Sequence, residues 1–277
     1  MTAQLFVVAT PIGHLDDITY RAIETLRHVD LIAAEDTRQS AMLLKHFNIN
    51  TPLTACHDHN ESHKIEQLIE QLHAGKSIAL ISDAGTPLIS DPGFKLVRAA
   101  QEQHIRVTPV PGACAAIAGL SAVGLPSDRF SFEGFLPSKS SQRLATLEQL
   151  KDESQTLIFY EAPHRILACI QDMITIFGAD RTVGFAREIT KTFETIKKTT
   201  LAELYTWVEH DKNQQKGEIV LIIAGKTEKV DVQAAKLDQI LQRLLQDVSV
   251  KTAAQITADL FDIKKKVAYQ RALELSQ

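Results

Sequence analysis

Residues 82–93 read Ser82-Asp83-Ala84-Gly85-Thr86-Pro87-Leu88-Ile89-Ser90-Asp91-Pro92-Gly93. Before them stands the apolar run Ser77-Ile78-Ala79-Leu80-Ile81, bounded by Gly75, which predicts a buried strand. After them, Phe94, Leu96-Val97 and Ala100 fall at helical spacing, predicting a helix over 94–103. The stretch is thus expected as a loop at the C-terminal end of a strand, where open α/β sheets place ligands. Gly85 and Gly93 let backbone approach a ligand, and Pro87 and Pro92 stiffen the turn. Asp83, Thr86, Ser90 and Asp91 supply polar groups.

The same alternation extends outward. Strands are expected over 4–9, 31–34 and 105–107, and helices after Thr19 (a candidate cap), over 39–47, around Ile65–Leu72 and over 113–123. That order predicts a mostly parallel sheet through about residue 125. The 113–123 helix is so small-sided that backbone or ligand can pack close to it. Residues 130–141 read as a crossing to a second half. There, helices are expected over 142–150, 163–177 and 201–208, and strands over 156–160, 182–186, 195–199 and 218–223. The richer strand content predicts an α+β sheet with antiparallel pairs. From about Val232, a 3.6-residue stripe of Leu237, Ile240-Leu241, Leu244-Leu245 and Val248 opens a helical tail. Two further short helices around Asp262-Ile263 resemble a helix-turn-helix unit, a packing appendage being the alternative. Expected domains are 1–125, 126–229 and 230–277.

Bulk properties exclude several classes. A net charge of −4 means that a nucleic-acid partner must be met by a local basic patch. No apolar run approaches the ~20 residues of a membrane span, and no basic region precedes Leu5–Ala9, so neither a span nor a secretory signal is expected. Three widely spaced cysteines argue for a reducing, cytoplasmic compartment. Neither G-x-x-x-x-G-K nor G-x-G-x-x-G occurs, and Ser82 sits in no G-x-S-x-G elbow, disfavouring ATPase, dehydrogenase, Rossmann-type methyltransferase and α/β-hydrolase chemistry. His57, His59 and His63 match no zincin or deaminase spacing, so no metal is expected.

Five polar clusters follow predicted strands: Glu35 to Arg38, His57 to Glu61, Asp83 to Asp91, Glu161 to Arg165, and Arg187-Glu188 with Thr190-Lys191. Their recurrence points to one convergent pocket between the halves.

These blocks, with Val8-Ala9-Thr10-Pro11-Ile12-Gly13, Phe159-Tyr160-Glu161 and Lys216-Gly217-Glu218, resemble the tetrapyrrole-methylase superfamily, and within it the branch that acts on small-subunit ribosomal RNA. The resemblance spans 5–225 and continues into the tail. It implies S-adenosylmethionine bound in a cleft between two α/β domains, a homodimer, and 2′-O-methylation of a cytidine of 16S ribosomal RNA at the decoding centre. By motif position the cofactor would touch Pro11, Ala84, Gly85, Thr86, Ile89, Cys114, Ala115, Glu161 and Ile189. Cys114 stands where this branch usually has serine, which puts a side-chain hydrogen bond there in doubt. A ribose hydroxyl is a poor nucleophile, so Glu35, Asp36, His57 or Glu188 is expected to accept or orient its proton. Arg38, Arg187 and Lys191 are expected to hold phosphates, aided by Lys139 and by Lys264, Lys265 and Lys266 of the tail. Methylation of a tetrapyrrole on the same fold, or RNA binding without catalysis, are the competing readings. No DNA or membrane partner is expected.

Overall fold

A computed structural model describes residues 3–56, 61–226 and 232–276, which divide into two compact units, Met1–Gly225 and Lys226–Gln277. The first unit opens with strands β1 (Leu5–Val8), β2 (Leu31–Ala34), β3 (Leu53–Ala55), β4 (Ile78–Ile81) and β5 (Val107–Val110). They form an all-parallel sheet in the order β3-β2-β4-β1-β5. Helices α1 (Tyr20–His28), α2 (Thr37–His46), α3 (Glu61–His73) and α4 (Phe94–Glu102) connect its strands. Strand β4 is buried along its whole length, as expected for a central parallel strand covered on both faces. One face packs Leu26, Val29 and Leu44, the other Leu68, Leu72 and Leu96. Thr19 caps α1 as the sequence suggests, its hydroxyl accepting the Ala22 N–H.

Helix α5 (Ala115–Val123) leaves β5 but packs on the second sheet, made of β6 (Phe130–Phe135), β7 (Thr156–Glu161), β8 (Thr182–Arg187), β9 (Thr195–Thr200) and β10 (Ile219–Ile223). Its order is β6-β7-β10-β8-β9, with β6 parallel to β7 and the other pairs antiparallel. The small side chains of α5 serve backbone approach. A Cβ on Gly119 would lie 3.2 Å from Ile222 Cδ1, and one on Gly184 of β8 would strike Val123 at 2.6 Å. Helices α6 (Ser140–Gln149), α7 (Ile166–Phe177) and α8 (Leu201–His210) cover the opposite face around Phe159, Phe185 and Leu221. Within that layer Arg143, almost wholly buried, pairs with Asp172 at 2.6 Å.

Two expectations are corrected. Residues 130–135 form the edge strand of the second sheet, with a register shift between Phe132 and Gly134, and are not merely a crossing. The strand read at 105–107 runs from Val107 to Val110, and it accommodates Pro109 because β5 lies at the sheet edge. Residue 125 stands as a proposed division of the first unit, across which α5 reaches.

The second unit comprises α9 (Val232–Leu244), α10 (Val250–Phe261) and α11 (Lys265–Leu275) around Leu241, Ala253 and Ala272. Asp262, at φ +50°, ends α10 and makes the tight turn into α11. No helix among the described residues is long and apolar enough to cross a membrane.

Candidate cofactor cleft

The 82–93 loop is tied down at both ends and along its length. Thr10, just past β1, exchanges both backbone hydrogen bonds with Gly85: its N–H donates to Gly85 O at 2.8 Å and its carbonyl accepts the Gly85 N–H at 3.1 Å. Gly85 lies at φ +80°, and a Cβ there would stand 3.2 Å from Ile12 Cγ2. The Thr86 hydroxyl donates to Ala113 O at 2.9 Å, fastening the loop to the segment before α5. Leu88 and Ser90 hold φ +74° and +65°, a left-handed conformation that non-glycine residues keep only where their surroundings impose it. Gly93 then returns the chain into α4 at a site where a side chain would strike Leu80 Cδ2 at 2.7 Å.

This loop forms one wall of a cleft of about 400 Å³. Opposite stand Phe135 at the end of β6, Tyr160 to Pro163 at the end of β7 and just past it, and Gly217 to Val220 entering β10. Cys114 and Ala115 close it at the start of α5. Of the residues expected to touch a cofactor, Ala84, Gly85, Thr86, Ile89, Cys114, Ala115 and Glu161 line the cleft. Pro11 is buried beside Ile12, which does line it, and Ile189 packs in the apolar cluster behind it with Ile12 and Ala116. Cys114 makes no side-chain capping bond to α5.

The lining is acidic. Glu35, Asp83, Asp91, Glu161 and Glu218 contribute to it, and among the described residues no lysine or arginine does. The Tyr160 phenol oxygen accepts the Ala116 N–H at 3.1 Å, and burial pushes its pKa well up, so it stays protonated. Glu161 is buried; its Oε1 accepts from Ala162 N–H at 2.7 Å and from Arg165 Nε at 2.5 Å, while Oε2 is buried with no hydrogen-bond partner among the described residues. Apolar walls with carboxylates fit a ligand that is part aromatic and part cationic, as S-adenosylmethionine is.

The other expected residues divide sharply. Asp36 caps α2, and its carboxylate takes the Arg38 N–H at 2.8 Å and the guanidinium at 2.7 and 3.1 Å. The Arg38 side-chain bonds, then its N–H, hold Asp36 down to about 2. Arg38 itself is 90% exposed. The Asp36 N–H donates to Asp83 Oδ1 at 3.0 Å, which pins the start of α2 to the loop. Glu188 does not line the cleft; it accepts from Lys191 Nζ and from the Glu218 N–H, both at 2.9 Å. Burial works to raise its pKa, but the Glu218 N–H and Lys191 outweigh that and hold it below the usual range. Lys191 also pairs with Glu218 at 3.1 Å.

Arg187 corrects an expectation. It ends the buried strand β8 and is itself buried, donating to Gln214 Oε1, Lys216 O, Phe193 O and Thr195 Oγ1. Such a side chain positions two loops and cannot reach a phosphate. His57 lies outside the described residues, as does His59. Lys264, Lys265 and Lys266 are exposed at the start of α11, whereas Arg271 is spent on Asp238 and Glu274. Sequence reasoning left Tyr160 and Glu218 out of the site, although both sit inside blocks that it quoted, and gave Asp91 no role beyond polarity.

Residues 4–205 match the family model described as Tetrapyrrole (Corrin/Porphyrin) Methylases, and residues 231–276 match that of the RsmI C-terminal HTH domain. Similar solved folds include uroporphyrin-III-C-methyltransferase from Thermus thermophilus (TM-score 0.57, 16% identity, 80% of this chain and 94% of that one) and cobalt precorrin-4 methyltransferase (TM-score 0.61, 14% identity, 80% and 95%). Proteins called ribosomal RNA small subunit methyltransferase I are much nearer in sequence. That of Pseudomonas aeruginosa is 54% identical over 98% of this chain and 96% of its own, and that of Escherichia coli O157:H7 is 52% identical over 98% and 95%. The chain therefore belongs to the tetrapyrrole methylase family, in the group of the ribosomal RNA small subunit methyltransferase I proteins.

Proposed function

We propose that the protein transfers the methyl group of S-adenosylmethionine to the 2′-hydroxyl of a cytidine of 16S ribosomal RNA, at the decoding centre of the small subunit. The observation that carries this reading is the extent of the likeness. Relatives bearing the small-subunit rRNA name match at 52–54% identity over 98% of the chain, helical tail included, whereas the solved tetrapyrrole-type folds cover 80% of it. We further propose that it works in the cytoplasm as a homodimer; exposed Ile117, Phe193 and Ile196 on the first unit are apolar surface of the kind a second copy covers.

When bound, the cofactor supplies an electrophilic sulfonium methyl. The chain's part is alignment and electrostatics. Ile12, Ile89, Phe135 and Val220 wall the cleft, and its carboxylates favour a cationic ligand over the neutral thioether left after transfer. An acidic cleft repels RNA, so phosphates must be gripped outside it. Lys264, Lys265 and Lys266 of the tail and Arg38, 90% exposed though bonded to Asp36, suit that task, with Lys191 partly engaged by its two glutamates. Of the four groups expected to handle the hydroxyl proton, Glu35 lines the cleft, Asp36 and Glu188 are committed to cations, and His57 is outside the described residues.

The test is transfer of labelled methyl to small subunits lacking the modification, with naked rRNA and a tetrapyrrole acceptor in parallel. Label in the rRNA alone is expected; label in the tetrapyrrole alone would replace this reading with the competing one.

A further inference from the structure

Asp91 is a cleft carboxylate with no cation beside it among the described residues. It lines the cleft together with Asp83 and Glu35. Its backbone is fixed between Ser90, at φ +65°, and Pro92, and Gly93 follows at +116°. Ser90 carries the loop towards the second sheet, where a Cβ on Gly134 of β6 would stand 3.3 Å from its Oγ. Asp36, Glu161 and Glu188 each accept from an arginine or lysine, which holds a carboxylate ionised but weakens it as a base. Asp91 forms no such ion pair within the described residues. The groups around it are the Ser82 side chain and Asp83 on its own loop, Tyr160 at the end of β7, and the cleft carboxylates Glu35, Glu161 and Glu218.

We infer that Asp91 is the proton acceptor for the hydroxyl that is methylated, a role that rests on the methyl-transfer reading above. The hydroxyl oxygen bonds to the methyl carbon, and the carbon–sulfur bond breaks with its electron pair going to sulfur, which becomes a neutral thioether. The hydroxyl proton passes to a carboxylate oxygen of Asp91, and the resulting acid later returns it to water. Burial raises the carboxyl's pKa, the Asp83 charge adds to this, and a hydrogen bond from the Ser82 side chain works the other way. A carboxylate raised in this way is the better base near neutral pH.

The experiment is single-turnover methylation of small subunits by the full-length protein across pH, with cofactor affinity titrated separately. Asp91→Asn is expected to slow transfer by at least about 100-fold, the usual worth of a positioned base, with cofactor affinity little changed. Two neighbours shift the acidic limb of the wild-type rate profile in opposite directions. Ser82→Ala removes a bond that stabilises the ionised form and moves the limb to higher pH. Asp83→Asn removes a like charge and moves it to lower pH. Transfer by Asp91→Asn within a few-fold of wild type would overturn the inference. So would a limb that neither neighbour moves, or one that Glu35→Gln abolishes while Asp91→Asn keeps it. Failure of the wild-type protein to label the subunit would instead sink the methyl-transfer reading, and this inference with it.

Discussion

Gly85→Ala places a methyl group at the point where the loop touches the first sheet. Its φ of +80° is left-handed, which costs an L-residue about 1–2 kcal/mol. The added Cβ would also stand 3.2 Å from Ile12 Cγ2, a gap that a small shift of that side chain relieves. The strain must appear somewhere. If Thr10 and Gly85 keep their two backbone bonds, the folded state bears all of it, and the melting temperature falls by about 2–8 °C for a unit of this size. If the loop instead relaxes in the free protein, cofactor binding must restore it, and affinity falls by about 5–30-fold. Thermal unfolding and calorimetric titration of S-adenosylmethionine on the same preparation read the two shares, which should sum to about 1–2 kcal/mol. Gly75→Ala is the control: its φ of +92° is left-handed too, but nothing lies within 4 Å of the new Cβ and the residue precedes β4, at the strand end opposite the loop, so stability alone should fall. Unchanged stability and affinity in Gly85→Ala would refute the left-handed bridge, and equal affinity losses in both variants would refute its link to the cleft.

Arg143→Met strips the guanidinium from half-buried Asp172, leaving it the Ser140 hydroxyl, and should cost about 1.5–3 kcal/mol in denaturant unfolding, the worth of a hydrogen bond to a charged group; a loss below about 1 kcal/mol would mean that water reaches the pair. Arg38→Met should return the Asp36 carboxyl from about 2 towards 3.8, read by carboxyl NMR titration. The sign follows from a depressed folded-state pKa: whatever stability this carboxylate lends is complete above 3.8 and fades as pH drops towards about 2, and the variant should lose that fading. Replacing Lys264, Lys265 and Lys266 together by alanine in the full chain should weaken rRNA binding and flatten its salt dependence, by up to about one unit of slope for each phosphate no longer neutralised, with cofactor affinity unchanged. Equal loss of both affinities would make the tail a structural prop.

The parallel sheet was legible because its strands are short apolar runs punctuated by glycine, proline and capping residues, and Thr19 marks α1 as plainly in the chain as in the structure. Strand β6 was not. Its sequence Phe-Ser-Phe-Glu-Gly-Phe carries a glycine at φ +66° and a register shift, which blur a period of two. Arg187 misled for a related reason: an arginine after an apolar strand reads as a strand-end functional group, whereas four acceptors from 193–195 and 214–216 arrive from later in the chain to bury it. Long-range partners of that kind leave no local pattern. The cleft's acidity was hidden likewise, since Glu35, the pair Asp83 and Asp91, Glu161 and Glu218 come from four segments that only the fold assembles.

What matters most is the atom that is methylated. Small-subunit rRNA labelled by the protein and digested with alkali tests it, because a 2′-O-methyl group removes the hydroxyl that alkali needs to cleave the adjoining phosphodiester. Transfer to the ribose oxygen predicts that the label emerges in an alkali-stable dinucleotide whose methylated member is cytidine. Label in a mononucleotide, as a methylated base would give, contradicts it.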